Sequence, residues 1–263
     1  MSDLALTNPA LRPASVIRDS VTMVARSVRL SARTVDALIM SLALPVMLML
    51  VFVYLFGGAM NTGGAYITYV VPGVILLCVG FASAQTAVSV STDMKNGIID
   101  RFRSMDIGAA AILAGHVTAS VLRNIISTVM VVAVALLIGF RPTAGVVEWL
   151  ATAGILIAFM VAISWFSAAI GLLAGNPEAA AGFTFFVSFL PYPSSAFVPV
   201  ATMPAWLQGV AEHQPITPVI ESVRGLLVGL PVGAHAWQAP AWCAGILVAS
   251  VALSAYLFRR RTA

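Results

Sequence analysis

The sequence predicts an all-α polytopic membrane protein with six transmembrane helices, an N-terminal amphipathic interfacial helix and external re-entrant half-helices before the last span. Hydrophobic residues make up 60% of the chain and charged residues only 9%, against about 25% charged in soluble domains. Apolar runs recur at about the 20-residue length that crosses roughly 30 Å of hydrocarbon. Most of the charged residues collect between these runs.

Residues 1–36 are predicted to form a cytoplasmic tail and the amphipathic interfacial helix. From Ser15 to Arg33, apolar residues share one stripe at helical spacing, and four arginines fall on a separate arc. These arginines are Arg18, Arg26, Arg29 and Arg33. A basic face beside an apolar stripe is typical of a helix lying in the membrane interface, next to the lipid bilayer headgroups. The alternative is a soluble helix packed on a partner.

Residues 37–258 are predicted to form the transmembrane domain, and 259–263 a second cytoplasmic tail. The six spans are expected at about Ala37–Phe56, Tyr69–Val90, Ser120–Phe140, Trp149–Leu173, Ala180–Phe197 and Ala241–Phe258. Arg123 falls near the start of the third span. Two longer connections, 91–107 and 198–240, separate the second from the third span and the fifth from the sixth.

The connection 91–107 is a charged segment between long apolar runs. Because each charge at the bilayer centre costs about 2.5–3.5 kcal/mol, the segment must lie at the membrane surface. After the helix-stop signal Asn96-Gly97, one helical face would carry Ile98, Phe102 and Met105. A short amphipathic helix and a solvated loop are both compatible with this pattern.

The segment 198–240 is predicted to lie outside the cell as two half-helices that dip into the outer leaflet. Thr217-Pro218 is a suitable helix start, with Thr217 as N-cap, and Glu221 can pair with Arg224 three residues later. Its defining residues are Pro204, Trp206, Pro215, Pro218, Glu221 and Arg224. The leucines that follow are too apolar for an exposed loop. The alternative is an ordinary external loop with a surface helix.

The orientation follows from the lysines and arginines. With both termini on one side, that side holds twelve of the fourteen basic residues, and the other holds only Arg141 and Arg224. The positive-inside rule therefore places both termini and the 91–107 segment in the cytoplasm. This placement, rather than nucleic-acid binding, accounts for the net charge of +4.

The residues that enzymes and pumps require do not come together in this sequence. The single lysine, Lys95, is not in a Gly-Lys-Ser or Gly-Lys-Thr phosphate-binding motif, so any ATP must be hydrolysed by a partner. The histidines have no metal-ligand spacing, and no span carries paired carboxylates. Cys78 and Cys243 lie within apolar runs and are expected to be buried thiols. The pattern favours a non-catalytic membrane subunit.

Two segments resemble the type 2 ABC exporter permeases of the daunorubicin-resistance branch. Gly97-Ile-Ile-Asp-Arg-Phe-Arg-Ser-Met105 is similar to the cytoplasmic coupling loop of that family, with Asp106 where the family has proline. Ser195–Gln208 and Ala211–Leu227 are similar to its segment before the last span. Both matches occur in the family's order, and its N-terminal elbow helix corresponds to the amphipathic helix.

The resemblance implies the transmembrane permease subunit of an ATP-driven exporter in the bacterial plasma membrane. Its substrate would be hydrophobic or amphipathic, drug-like or lipid-like, and would leave the cytoplasm or inner leaflet. The partners would be two copies of a cytoplasmic ABC ATPase, which hold ATP and magnesium, and a second permease, identical or paralogous; no cofactor is expected in this chain. The implied ATPase-coupling residues are Gly97, Ile98, Ile99, Asp100, Arg101, Phe102, Arg103 and Met105. A lipid-linked glycan or polysaccharide exporter and a secondary carrier are the alternatives.

The topology can be tested with single cysteines at Ser104 and Gln208, after Cys78 and Cys243 have been replaced by alanine. Because the two positions are predicted on opposite sides, a membrane-impermeant maleimide should label only Gln208→Cys in sealed right-side-out cells. Labelling of both positions from outside would contradict the six-span arrangement.

Overall fold

The computed structural model describes residues 35–60, 64–97 and 109–262. Within these ranges the protein contains eight α-helices and no strand, which confirms the all-α class. They are α1 Val35–Leu50, α2 Tyr66–Lys95, α3 Ala109–Leu137, α4 Val146–Leu173, α5 Pro177–Ser188, α6 Ala205–His213, α7 Ile216–Val228 and α8 His235–Thr262. A π-helical segment, Val51–Phe56, continues α1. The predicted amphipathic helix lies outside the described residues.

Four of the described helices are long and apolar enough to cross a membrane: α2, α4, α3 from Ala111, and α8 as far as Phe258. The protein is therefore a multi-pass membrane protein. The third span begins earlier than predicted, because the small and apolar residues after Ala109 continue the helix without a break. Arg123 consequently lies near the middle of α3, and its position relative to the bilayer stays a prediction.

Helix α2 is the centre of the bundle. Ten consecutive residues, from Val70 to Val79, are buried, and a helix that is buried on all sides belongs to the core. It packs against α1, α3, α4, α5 and α7. Cys78, within this stretch, and Cys243 are buried free thiols, as predicted.

The fifth predicted span is helical only in its first half. Asn176 caps α5, with its Oδ1 accepting a hydrogen bond of 2.7 Å from the Ala179 amide, and Pro177 occupies the first turn. The helix ends at Ser188, so the prediction of a continuous helix to Phe197 is wrong. Pro191 and Pro193 explain the break, because neither can donate a backbone hydrogen bond.

Residues 189–197, here called the irregular segment, continue from the end of α5 along α2 towards its first turn. Ala196 packs closely on Gly73 of α2. A Cβ added at Gly73 would lie only 2.6 Å from the Cβ of Ala196. Near Tyr66 the segment ends, and the Tyr66 hydroxyl donates to the Phe197 carbonyl at 2.8 Å. Phe197 also stacks on Phe52 of the π-helical segment, with ring centroids 4.5 Å apart.

Helices α6 and α7 differ sharply in burial. Pro204 directly precedes α6, and Trp206 on this helix is 76% exposed. Ten of the 13 residues of α7 are buried. The prediction of Thr217 as its N-cap is wrong, because α7 begins at Ile216 and the Thr217 hydroxyl donates instead to the Ala211 carbonyl.

The contact between Gly73 and the irregular segment can be tested by Gly73→Ala. The added methyl group would force α2 and the irregular segment apart, which we expect to destabilise the protein by about 1–3 kcal/mol. Gly154→Ala, on α4, is the control, since none of the described residues outside its own stretch of helix backbone comes within 4 Å of the added Cβ. The measurement is the thermal unfolding midpoint in detergent. Equal midpoints for the two variants would contradict the packing described here.

Candidate functional site

The bundle has two ends, named here after a residue at each. At the Lys95 end, α2 finishes, and Gly97 adopts the left-handed conformation, with φ of 66°. The helix stop predicted at Asn96-Gly97 is thus confirmed. Helix α3 leaves the same end at Ala109. Of the implied ATPase-coupling residues only Gly97 is described; Ile98 to Met105 lie outside the described residues and remain predictions.

From the middle of the two helices towards the Lys95 end, polar side chains join α2 to α3. The Asn124 amide donates to the Ser83 hydroxyl at 2.9 Å. One turn further along α2, Thr86 Oγ1 accepts a hydrogen bond of 3.2 Å from Arg123 Nη2. These four residues, together with Asp93 of α2 and His116 of α3, are here called the polar ladder.

The polar ladder continues towards the connecting segment. His116 Nε2 lies 3.2 Å from Asp93 Oδ2, with both side chains largely buried, and the pair is ionic when the imidazole is protonated. The Ser164 hydroxyl donates to Ser120 at 2.9 Å, which extends the polar contacts to α4. Sequence reasoning missed this feature, although His116, Ser120 and Asn124 follow the i, i+4, i+8 spacing of one helix face.

The ladder makes α2 and α3 a mechanical unit. Polar groups buried in an apolar environment are costly without partners, and those within membrane helices characteristically pair with one another across helix interfaces. Sliding α2 along α3 would break several of these contacts at once. A displacement of the segment between the two helices is therefore expected to move both together.

At the opposite end, the Arg224 guanidinium is almost completely buried; the residue is 4% exposed. Its Nε donates to the Tyr69 carbonyl at 3.2 Å and its Nη2 to the Ser195 carbonyl at 2.6 Å. Nη1 donates to the Glu221 carboxylate, the pair that the sequence spacing suggested. The guanidinium carbon also lies 3.7 Å from the centroid of the Tyr69 ring, in cation–π geometry. We call these four residues the Arg224 centre.

The Arg224 centre provides a hydrogen-bond donor for the backbone of the irregular segment. Without water in the hydrocarbon, non-helical backbone is tolerated only where the protein itself satisfies its polar groups. Arg224 does this for the Ser195 carbonyl and Gln214 for the Pro193 carbonyl. Arg224 is thus buried within the protein, and the side of the membrane on which it lies stays a prediction.

The remaining residues predicted for this region lie on the two short helices. Pro204 and Trp206 belong to the exposed α6, whereas Pro215 and Pro218 lie at the start of the buried α7. Tyr69 and Ser195 were not predicted, because their separation from Arg224 along the chain gives no local signal.

We expect Arg224→Lys to destabilise the protein although it retains the charge. An ammonium lacks the forked geometry that reaches three acceptors, and each buried acceptor left unpaired costs about 1–3 kcal/mol. Arg141→Lys is the matched control, since the Arg141 contacts, to the Leu136 and Phe140 carbonyls, lie at an exposed position. The thermal midpoint in detergent should fall clearly for the first variant only. An unchanged midpoint for Arg224→Lys would show that the centre is dispensable.

The amino-acid sequence is similar to those of known proteins. The chain matches the ABC-2 type transporter family over residues 19–258. It is 34% identical over 188 residues to the daunorubicin resistance ABC transporter permease protein DrrB1 of Streptomyces coeruleorubidus, a match that covers 71% of this chain and 66% of that protein. It is 23% identical over 233 residues to the probable doxorubicin resistance ABC transporter permease protein DrrC of Mycobacterium tuberculosis, covering 87% and 84%. The chain therefore belongs to the ABC-2 type transporter family, as a non-catalytic transmembrane permease subunit.

Proposed function

We propose that this protein is the permease subunit of an ATP-driven exporter that moves a hydrophobic or amphipathic, drug-like or lipid-like substrate out of the cytoplasm or the inner leaflet. The observation that carries the proposal is the 34% identity with a permease named for daunorubicin resistance. The multi-pass helical architecture is compatible with this role. The sequence asymmetry of basic residues supports an orientation with both termini in the cytoplasm of a bacterial cell.

The proposal includes six membrane crossings. Helix α1 with its π-helical segment would provide the first crossing. Helix α5 has only 12 residues, about 18 Å of rise, and would complete the fifth crossing together with the irregular segment. Support comes from the path of that segment, which runs beside α2 from Gly80 to Tyr66.

The proposal also includes a re-entrant α6–α7 hairpin. Pro215 and Ile216, at the start of α7, line an apolar cavity together with Leu76 and Gly80 from the middle of α2. Helix α7 would therefore begin at about half the depth of the bilayer and rise to the Arg224 end. Its extensive burial supports this arrangement over an external surface helix.

Coupling to the ATPase is assigned to residues 97–105 at the Lys95 end. The two cytoplasmic ATPase copies would hold ATP and magnesium, and closure of their dimer would push on this segment. Since the polar ladder joins α2 to α3 immediately beyond it, the push would be delivered to both helices.

A second permease, identical or paralogous, is proposed to pack on the face formed by α2 and α5. Phe183, Phe185 and Phe186 are exposed on α5, and Gln85 is exposed near the middle of α2. Exposed aromatic side chains are compatible with lipid, but an amide in hydrocarbon favours a polar partner on a neighbouring helix. The phenylalanines and Gln85 together favour a protein partner for this face.

The function can be tested by reconstituting the permease with its partner ABC ATPase in proteoliposomes. Phe102→Ala is expected to weaken docking by about 2 kcal/mol, because a few buried aromatic residues dominate most interfaces. The variant should be made at normal levels but co-purify poorly with the ATPase and lose substrate-stimulated ATP hydrolysis and ATP-dependent export.

Arg103→Ala is the matched control, since a charge at the rim of an interface contributes less to affinity. Wild-type co-purification and export by Phe102→Ala would refute the coupling role of this segment. Export that continues without ATP would refute the exporter function and favour a secondary carrier.

A further inference from the structure

A recess with both polar and apolar residues in its wall lies where α6 ends and α8 begins. Its volume is about 350 Å³, which is within the range of pockets that hold small molecules. Glu212 and His213 come from the end of α6, and Trp237 and Trp242 come from the first turns of α8. Pro218 of α7 also lines it. We call this site the tryptophan recess.

The charged and aromatic residues of the tryptophan recess are accessible. Trp237 is 65% exposed and Trp242 is 43% exposed, and Glu212 is exposed as well. The Glu212 carboxylate forms no ion pair or hydrogen bond with any residue that the structure describes, in contrast to Glu221, which binds Arg224. The recess therefore combines an accessible carboxylate with two accessible indole rings.

His213 adds an acceptor to the recess rather than a donor. Its Nδ1 lies 2.9 Å from the Gly209 carbonyl oxygen, and since a carbonyl only accepts, Nδ1 carries the hydrogen. In the neutral imidazole the other ring nitrogen, Nε2, is then an acceptor. Together with the Glu212 carboxylate, this favours a ligand with a positive charge over an anion.

The position of the recess along α8 indicates a ligand that belongs to the membrane. Helix α8 is an apolar candidate span from His235, and the end of a span lies at the membrane interface. Trp237 and Trp242 follow His235 by two and seven residues, which is about 3 and 10 Å along the helix axis. The recess thus extends from the interface towards the hydrocarbon.

The chemistry of the recess at this depth selects an ammonium group. A carboxylate close to hydrocarbon is unfavourable without a counter-charge, and the face of an indole ring attracts cations, quaternary ammonium groups among them. An ammonium group satisfies both kinds of residue at once. An apolar body attached to that group would lie in the adjoining hydrocarbon.

We propose that the tryptophan recess binds the alkylammonium group of an amphiphile, with Glu212 as the counter-charge and with cation–π contacts from Trp237 and Trp242. Two sources carry this group in a bilayer: the headgroup of a phospholipid such as phosphatidylethanolamine, and a free cationic amphiphile. The inference goes beyond the proposed exporter function and does not depend on it, because it stands on the residues of the recess alone.

Benzyltrimethylammonium is a suitable probe, since it joins a quaternary ammonium to one apolar ring and is soluble in water. Its binding to the delipidated full-length permease in dodecyl maltoside, without ATPase or ATP, can be measured by saturation-transfer difference NMR. The binding should be saturable. Choline should displace the probe, and the uncharged analogue of choline in which a carbon replaces the nitrogen should displace it about tenfold less well. Benzenesulfonate, an anion with the same ring, should not displace it.

Variants of the recess test which residues hold the cation. Glu212→Gln keeps the shape but removes the charge, and should weaken binding of the probe about tenfold. Trp237→Leu and Trp242→Leu should each weaken it about fivefold, through loss of a cation–π contact. Glu148→Gln and Trp206→Leu are the matched controls, because these residues do not line the recess, and both should bind like the wild type. Equal thermal midpoints in detergent would show that all five variants are folded.

Three results would overturn the proposal. The first is equal displacement of the probe by choline and by its uncharged analogue. The second is displacement by benzenesulfonate as effective as that by choline. The third is an affinity that is unchanged in Glu212→Gln, or that falls equally in the Glu148→Gln and Trp206→Leu controls.

A second competition separates the two sources of the ammonium group. If the ligand is a phospholipid headgroup, dihexanoylphosphatidylethanolamine should displace the probe at lower concentration than hexyltrimethylammonium, and phosphatidylethanolamine should co-purify with the wild type more than with Glu212→Gln. If the ligand is a free cationic amphiphile, hexyltrimethylammonium should be the stronger competitor, and the two proteins should retain equal amounts of the lipid. Displacement by neither compound would refute the site.

Discussion

The irregular segment after α5 must have its backbone satisfied by the protein, and Arg224 both binds this backbone and links it to two helices. It pairs with the Ser195 carbonyl while also binding the Tyr69 carbonyl and the Glu221 carboxylate. One side chain thereby fixes α7, α2 and the irregular segment relative to each other. Tyr66 and Gln214 complete the arrangement through the Phe197 and Pro193 carbonyls. The burial of α7 and the close contact at Gly73 depend on this geometry.

The two ends of the bundle thus serve different purposes in the proposed mechanism. The Arg224 end is held by contacts from several parts of the chain. At the Lys95 end, α2 and α3 are joined to each other by the polar ladder and emerge on either side of the 98–108 segment. A force applied to that segment would act on a stiff helix pair, whose other end is held in the bundle core. With one end held and the other end joined as a helix pair, movement could be transmitted without unfolding the membrane domain.

Sequence reasoning succeeded where the physical cause is local. The apolar runs predicted α2, α4 and α8, because length and hydrophobicity alone decide a membrane crossing. The i, i+3 spacing suggested the contact between Glu221 and Arg224. The helix stop at Asn96-Gly97 was likewise predicted from these two residues alone.

It failed where the cause is a distant contact. Arg224 bonds to Tyr69 across 155 positions of the chain, so no window of sequence shows that this charge is internal. The fifth crossing was predicted as a helix, because its apolar composition outweighed Pro191 and Pro193, and only the contacts to α2 explain the irregular path. The coupling residues Ile98 to Met105 stay a prediction from resemblance.

Hydrogen–deuterium exchange of the permease in lipid nanodiscs tests most directly whether the Arg224 end is an internal part of the membrane domain. Peptides from α7 should exchange as slowly as those from the middle of α2, because both are helical, buried and shielded from water. Peptides from the exposed α6 should exchange faster. Rapid exchange throughout α7, at the rate of α6, would contradict the account.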